Sequence, residues 1–196
     1  MKTNKKLHSL ILVSATLILF LILVLSTASA ASGQSGLSTD IKGMSDNGIN
    51  QNQEYKIMSM HSGKVADLEN GGPVGSRIVQ WPYHDGDTQK WRFISLAGND
   101  TGYYQIFVTW DGTCMRSPGI EDKTVVSSKW KGSGLDTQKW KVTKINDKTS
   151  SYYKIENKAD GMILAVYGAS FDDRTQLIVC PWHATENEKW IITPVV

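Results

Sequence analysis

Cysteine is scarce in this chain of 196 residues, which contains only Cys114 and Cys180. Two cysteines are too few for the disulfide framework of a small secreted scaffold. They could pair with each other or remain buried thiols, and we favour buried thiols. Long apolar runs are equally scarce, since residues 10–25 form the only one. One run excludes a membrane protein with several spanning segments.

The single apolar run is typical of a secretory signal peptide. Basic residues precede it at positions 2–6, and the small residues 28–30 follow it. This order predicts a signal at residues 1–30 that is cleaved after Ala30, and therefore a secreted protein with no membrane insertion after cleavage. An uncleaved anchor is the alternative, although the run is shorter than the roughly 20 residues of a typical span.

The chain also has no large excess of charge of either sign, because it contains 21 basic and 19 acidic residues and its net charge is +2. Removal of the predicted signal takes away three lysines and no acid, which changes the net charge to −1. A nearly neutral chain lacks the basic surface that binds nucleic acids or anionic membranes. We therefore expect neither as a partner.

Three copies of a short motif, each ending in tryptophan, recur along the chain. The tryptophans are Trp91, Trp140 and Trp190, at intervals of 49 and 50 residues, and a glycine near the start of each copy keeps the same phase. The pattern predicts three repeats at about residues 53–98, 99–148 and 149–196. The preceding residues 31–52 are rich in Gly, Ser, Asn and Asp, and we expect them to form a disordered tail.

Each repeat contains short alternating segments separated by turn residues, with no sustained helical spacing. In the first repeat, alternation at residues 55–60 and 64–68 is interrupted by glycine turns, and two further segments follow. Four strands per repeat give twelve in an all-β fold. Natural propellers usually need more than three blades. We therefore predict a β-trefoil, in which the outer strands form a six-stranded barrel and the inner strands form capping hairpins.

The closing Gln-x-Trp tripeptide, with Gly-Lys-Val-Ala-Asp-Leu at residues 63–68 and Val-Gln-Trp-Pro-Tyr at residues 79–83, resembles the ricin B-chain type of β-trefoil lectin domain. The resemblance implies binding of glycans or glycoconjugates, with galactose-type sugars as the expected class. It implies a shallow pocket in each repeat, where a carboxylate binds sugar hydroxyls and an aromatic ring stacks on the sugar. The closing tryptophans are expected in the barrel core.

The first repeat fits this pattern best. By resemblance, Asp67 is the sugar-binding acid, Trp81 is the stacking platform and Gln89 supports the acid. Trp81 and Tyr83 are two residues apart and, on a strand, would form a common wall. His84 is expected at the rim of the pocket, and Thr88 stands in place of the usual asparagine. The candidate site residues are Asp67, Trp81, Tyr83, His84, Thr88 and Gln89.

The other two repeats depart from the pattern. The second has Arg116 at the acid position and, by counting, Trp130 on the platform. The third has Ala165 and Cys180 at these two positions. It keeps an aromatic, a histidine and an amide as weaker candidates, at Trp182, His183 and Asn187.

No metalloprotease, serine hydrolase or P-loop spacing occurs after the signal. His84 and His183 belong to different repeats and should lie far apart, so we expect no metal. Because the catalytic motifs are missing, we also expect no cofactor and no enzymatic activity. A separate effector or toxin subunit is a possible partner. The alternative function is a protein-interaction module, such as an inhibitor or a toxin-associated subunit, with eroded sugar sites.

Overall fold

The computed structural model describes residues 47–119, 123–132 and 135–196. The predicted signal peptide and most of the predicted tail lie outside these residues. The described part of the chain contains twelve strands: β1 Glu54–Ser59, β2 Val65–Leu68, β3 Ile78–Trp81, β4 Trp91–Ser95, β5 Tyr103–Val108, β6 Cys114–Arg116, β7 Val126–Ser128, β8 Trp140–Asn146, β9 Ser151–Asn157, β10 Ile163–Val166, β11 Leu177–Cys180 and β12 Trp190–Pro194.

Six of these strands close a barrel. β1 pairs with β12 and β4, β5 pairs with β4 and β8, and β9 pairs with β8 and β12, all antiparallel. The inner strands form the hairpins β2–β3, β6–β7 and β10–β11. Isolated bridges join the hairpins to one another, for example between Val79 and Gln176. The predicted β-trefoil, with four strands in each repeat, is confirmed.

Short 3₁₀ turns supply the helical residues of the described part of the chain. No helix within it is long and apolar enough to cross a membrane. The turns are Glu69–Gly71, Asp87–Gln89, Gly98–Asp100, Asp136–Gln138, Tyr167–Ala169 and Glu186–Glu188. Three of them, Asp87–Gln89, Asp136–Gln138 and Glu186–Glu188, precede the last strand of a repeat and carry the glutamine or glutamate of the closing motif.

The three closing tryptophans lie in the core, as predicted. Trp91, Trp140 and Trp190 each have 0% exposed surface. Each indole Nε1 donates a hydrogen bond to a backbone carbonyl of the hairpin strand in its own repeat, at 2.9 to 3.0 Å. The accepting residues are Ala66, Met115 and Leu164. These bonds therefore define which residues of the three hairpins correspond.

The folded region starts earlier than the predicted boundary at residue 53. Ile49 is fully buried in the core cluster. The segment around it is held by the three symmetry-related tyrosines: the Tyr55 hydroxyl accepts from the backbone N–H of Asn50, Tyr153 donates to the carbonyl of Asn47, and Tyr104 donates to the Asn47 side chain. Residues 47–50 are therefore part of the domain, and the prediction of a tail through residue 52 is wrong for them.

Candidate functional site

A pocket of about 340 Å³ opens on the hairpin of the first repeat. Four of the predicted site residues line it: Asp67, Trp81, His84 and Thr88. Six further lining residues were not predicted: Glu69, Asn70, Gly71, Val79, Trp110 and Arg174. Sugars typically bind in small concave sites that combine apolar walls with a few fixed polar groups.

The carboxylate of Asp67 is fixed inside this pocket. The residue lies on β2 opposite Val79 and is only 6% exposed. Gln89 Nε2 donates a hydrogen bond to Asp67 Oδ2 at 2.8 Å, and His84 Nε2 lies 3.4 Å from the same oxygen. A buried carboxylate needs such partners, since an unpaired one would be costly. Both partners contact Oδ2, so the contacts of this one oxygen fix the orientation of the carboxylate.

Gln89 connects the acid to the loop after β3. Its Nε2 also donates to the carbonyl of Pro82 at 2.9 Å, and its Oε1 accepts from the backbone N–H of His84 at 2.8 Å. The side chain is fully buried, and it sits at the end of the 3₁₀ turn before β4. Gln89 therefore holds the Asp67 carboxylate and the loop after β3 together.

Trp81 and Tyr83 do not form the common wall that was predicted. β3 ends at Trp81, which lines the pocket, and the chain then turns away at Pro82. The Tyr83 hydroxyl instead donates to Asp85 at 2.7 Å, and Lys56 Nζ lies 4.4 Å from the centre of its ring. The alternation argument fails because Tyr83 is not part of the strand.

A second indole stands at the pocket and comes from the second repeat. Trp110, in the loop after β5, is 56% exposed, and its Nε1 donates to the carbonyl of Gly71 at 3.1 Å. Gly71 has φ +57°, and a Cβ atom there would lie 3.0 Å from Trp110 Nε1. The glycine thus permits both the turn and the close approach of the indole. Counting within one repeat could not predict this contact.

Charged residues also line the pocket. Glu69 accepts two hydrogen bonds from Arg77, at 2.8 and 2.9 Å, and one from Arg174 at 3.2 Å. The hydrogen bond from Arg77 is the main reason why the pKa of Glu69 lies below its usual value. Arg174 comes from the third repeat, so all three repeats contribute side chains to this one pocket.

The second repeat lacks the aromatic platform. β6 pairs Cys114 with Ser128, whereas β2 pairs the corresponding Val65 with Trp81. Ser128 therefore takes the place of Trp81, because the second hairpin is two residues shorter. The prediction that Trp130 is the platform is wrong: Lys131 N–H donates to Gln138 Oε1 as His84 N–H does to Gln89, which puts Trp130 at the position of Tyr83.

The third repeat has the correspondences that the sequence predicted. Cys180 pairs with Ile163 as Trp81 pairs with Val65, and Ala165 is buried at the acid position. Trp182 and His183 follow in register with Tyr83 and His84. The Asn187 amide, expected to face a sugar, instead donates to the carbonyl of Val166 at 2.9 Å.

Glu188 replaces the supporting glutamine in this repeat. It is 2% exposed and accepts from His183 twice, at 2.8 Å from the backbone N–H and 2.8 Å from ring Nδ1. Burial alone would raise the pKa of Glu188, but the hydrogen bonds from His183 outweigh it and the pKa is lowered. Cys180 Sγ donates to Oε1 at 3.6 Å. The prediction of no metal site considered histidines from different repeats and missed this cluster within one repeat.

Both cysteines are free thiols, as the preferred alternative expected, but only Cys114 is buried and Cys180 is partly exposed. Cys114 is buried, and its Sγ donates to the carbonyl of Ser128 at 3.2 Å. Burial raises the pKa of Cys114 to about 12 and that of Cys180 to about 11. Neither thiol has the lowered pKa of a nucleophilic cysteine.

The fold is shared with several solved structures. The designed threefold-symmetric protein ThreeFoil has a TM-score of 0.65 and 29% identity over 72% of this chain and 99% of its own. The exo-β-1,3-galactanase of Clostridium thermocellum has a TM-score of 0.66 and 26% identity, over 75% of this chain and 31% of the enzyme. The ricin B-like lectin of Macrolepiota procera, solved with lactose, has a TM-score of 0.59 and 20% identity, over 74% and 96%.

The family comparison is more direct. No curated protein has a significant sequence match to this chain. The model of the ricin-type β-trefoil lectin domain-like family matches it three times, at residues 43–128, 87–179 and 136–196. These matches overlap and together extend from residue 43 to the last residue. The chain belongs to the family of ricin-type β-trefoil lectin-like domains.

Proposed function

We propose that this protein binds carbohydrate reversibly through the pocket of its first repeat. The observation that carries the proposal is the Asp67 carboxylate, which Gln89 and His84 hold by one oxygen beside the Trp81 indole. Its other oxygen, Oδ1, can accept hydrogen bonds from sugar hydroxyls, and charge-assisted bonds of this type are stronger than neutral ones. The indole can stack on the C–H face of the sugar ring.

Galactose-type sugars are the ligands to test first. The resemblance to ricin-type lectins suggests this class, and the 26% identical domain is part of an enzyme named for cleaving β-1,3-galactan. The pocket volume of about 340 Å³ is sufficient for a monosaccharide with part of a second ring. Under this proposal Trp110 and Arg174, which also line the pocket, contact that second ring.

The remaining repeats supply little to sugar binding under this proposal. Arg116 can donate to a hydroxyl but cannot accept from one, and the buried Ala165 can do neither. One site without avidity implies weak monovalent binding. We further propose that the protein is secreted, that it is not itself an enzyme, and that it acts on glycans outside the cell, alone or with a separate effector.

The alternative is a protein-interaction module, which the loss of the acid at Arg116 and Ala165 favours. A glycan array followed by titration of tryptophan fluorescence separates the two functions. Carbohydrate binding predicts that lactose or galactose changes the emission with a dissociation constant in the millimolar range or below. If no saccharide on the array binds and none alters the emission at high millimolar concentration, the sugar-binding proposal is rejected.

A further inference from the structure

We propose that the third repeat binds one Zn²⁺ ion through Cys180, His183 and Glu188. Each of the three offers one ligand atom, and these atoms lie within 4.8 Å of one another. In the sequence they are spaced as Cys-x₂-His-x₄-Glu. The site is separate from the pocket of the first repeat, so the inference does not depend on the proposed sugar binding.

Comparison of the three repeats shows that this ligand set is particular to the third. The hydrogen bonds and strand register described above identify the corresponding residues. They are Trp81, His84 and Gln89 in the first repeat and Ser128, Lys131 and Gln138 in the second. Neither of these sets contains a thiol or a carboxylate. The third repeat has a sulfur, an imidazole and a carboxylate at the same three positions, which are the types of ligand that Zn²⁺ accepts.

The distance between the sulfur and the carboxylate oxygen matches that around a tetrahedral ion. With Zn–S at about 2.3 Å and Zn–O at about 2.1 Å, a tetrahedral angle separates sulfur and oxygen by about 3.6 Å. Cys180 Sγ and Glu188 Oε1 are 3.6 Å apart. His183 Nδ1 is 2.8 Å from the same oxygen, so the ring must withdraw by about 0.6 Å to reach the roughly 3.4 Å that a tetrahedral N and O require.

The ligands are held before an ion arrives. Cys180 ends β11 and is paired with Ile163, and Glu188 ends the 3₁₀ turn that leads into β12. The second carboxylate oxygen, Oε2, accepts from the backbone N–H of His183 at 2.8 Å, which fixes its orientation. Such hydrogen bonds to a ligating carboxylate raise metal affinity.

The imidazole provides both the required movement and the access. The His183 side chain is 59% exposed, so its ring can rotate into solvent and back. Three protein ligands and a water molecule from this open side complete four-coordination. When the sulfur binds, Cys180 releases its thiol proton to solvent and coordinates as thiolate.

The main rival is an ion pair between protonated His183 and Glu188 with no metal. It would also compensate for the burial of a carboxylate that is 2% exposed. In the rival the sulfur only donates a weak hydrogen bond to Oε1, the oxygen that the imidazole also contacts, and no ion joins the three groups. Mg²⁺ and Ca²⁺ are poor alternatives because they prefer oxygen ligands.

Titration with Co²⁺, which takes the place of Zn²⁺ and is coloured, tests the site directly. The purified protein, prepared without a histidine tag, should develop tetrahedral d–d bands and a sulfur-to-cobalt charge-transfer band that saturate at one equivalent. One equivalent of Zn²⁺ should then remove them. Absence of these bands, or a spectrum without the sulfur transition, would reject the site.

Variants assign the ligands. Cys180→Ser, which introduces the residue of the second repeat, should remove the charge-transfer band. Glu188→Gln, the residue of both other repeats, should weaken Zn²⁺ binding at least tenfold in competition with a chromophoric chelator. Cys114→Ser, the other thiol, is the matched control and should keep the full cobalt spectrum. If Cys180→Ser retains the band or Glu188→Gln binds Zn²⁺ as tightly as the parent, the proposal is wrong.

Discussion

Gln89 donates a 2.8 Å hydrogen bond to the carboxylate of Asp67, which lies 22 residues earlier on the neighbouring hairpin strand. The same glutamine bonds to two backbone groups of the loop after β3. The hydrogen bonds of Gln89 therefore connect the acid on β2 and the loop after β3 to the turn that leads into β4. The position of the carboxylate is set by the fold before any ligand binds, which reduces the entropic cost of recognition.

The first prediction concerns this acid. Asp67→Asn keeps the shape of the side chain and removes its charge, so charge-assisted hydrogen bonds worth about 1.5 to 3 kcal/mol are lost. We expect sugar binding to weaken about tenfold or more. Asp87→Asn, an exposed acid of the same repeat, is the control and should bind like the parent in fluorescence titration. Equal affinities for the two variants would show that Asp67 is not in the binding site.

The second prediction concerns Trp110, which comes from the neighbouring repeat. Removal of one stacking indole costs on the order of 0.5 to 1.5 kcal/mol. Trp110→Ala should therefore weaken binding of a disaccharide several-fold and leave binding of a monosaccharide nearly unchanged. Tyr167→Ala, at a ring that is 58% exposed and does not line the pocket, should change neither. A disaccharide affinity that is unaffected by Trp110→Ala would remove this residue from the site.

The third prediction concerns the core. Trp140 is fully buried and donates to the Met115 carbonyl, so Trp140→Ala should lower the free energy of unfolding by about 3 to 5 kcal/mol. Urea denaturation measures the loss. Trp130→Ala, in the loop of the same repeat, should cost far less. If Trp140→Ala unfolds at the urea concentration of the parent, the assignment of the closing tryptophans to the core fails.

The fourth prediction tests where the domain begins. Ile49→Ala should destabilise the fold by about 2 to 5 kcal/mol, because the side chain is fully buried. A residue in a disordered tail would contribute almost nothing to the free energy of unfolding. Val74→Ala, at a position that is 47% exposed, provides a comparison with a small expected loss. Equal unfolding midpoints for these two variants would show that residue 49 does not contribute to the core and belongs to the tail.

The fifth prediction is a pH dependence. Asp100 accepts from Lys158 at 2.6 Å and pairs with Lys139 at 2.9 Å, and these bonds hold its pKa below the usual value. A carboxylate with a lowered pKa stabilises the folded state above its unfolded pKa, and this stabilisation is lost as the pH falls through the folded pKa.

Urea midpoints at pH 7 and pH 3 measure the effect. The parent should lose more stability between these two values than Asp100→Asn, in which the titrating group is gone. Asp87→Asn should follow the parent. Indistinguishable pH profiles for Asp100→Asn and the parent would contradict the role of this network.

Much of the fold could be predicted from the sequence because one period governs it. The tryptophans recur at almost equal spacing, so their burial, the strand count and the closed barrel follow together. Residue 49 was missed because a single isoleucine in a polar stretch carries no pattern. The segment around it is held by tyrosine hydroxyls distant in sequence, and Tyr153 lies 106 residues from the Asn47 carbonyl to which it donates.

The site was predictable only in part. Asp67 and Gln89 occupy positions fixed relative to the closing tryptophan, and the structure brings them together. Trp130 was misplaced because the second hairpin is shorter than the first, which a fixed count of residues cannot detect. Trp110 was missed because its contact with the pocket crosses from one repeat to the next.

The indole hydrogen bonds of the core have a consequence for how such a protein can change. Each tryptophan contacts a main-chain oxygen, so the next residue along the hairpin can be Asp, Arg or Ala while the anchor stays the same. Ligand chemistry is in this way uncoupled from the scaffold. The residue at this position can therefore change in one repeat while the buried anchors of all three stay the same, although the pocket of the first repeat also depends on Trp110 and Arg174 from the other two.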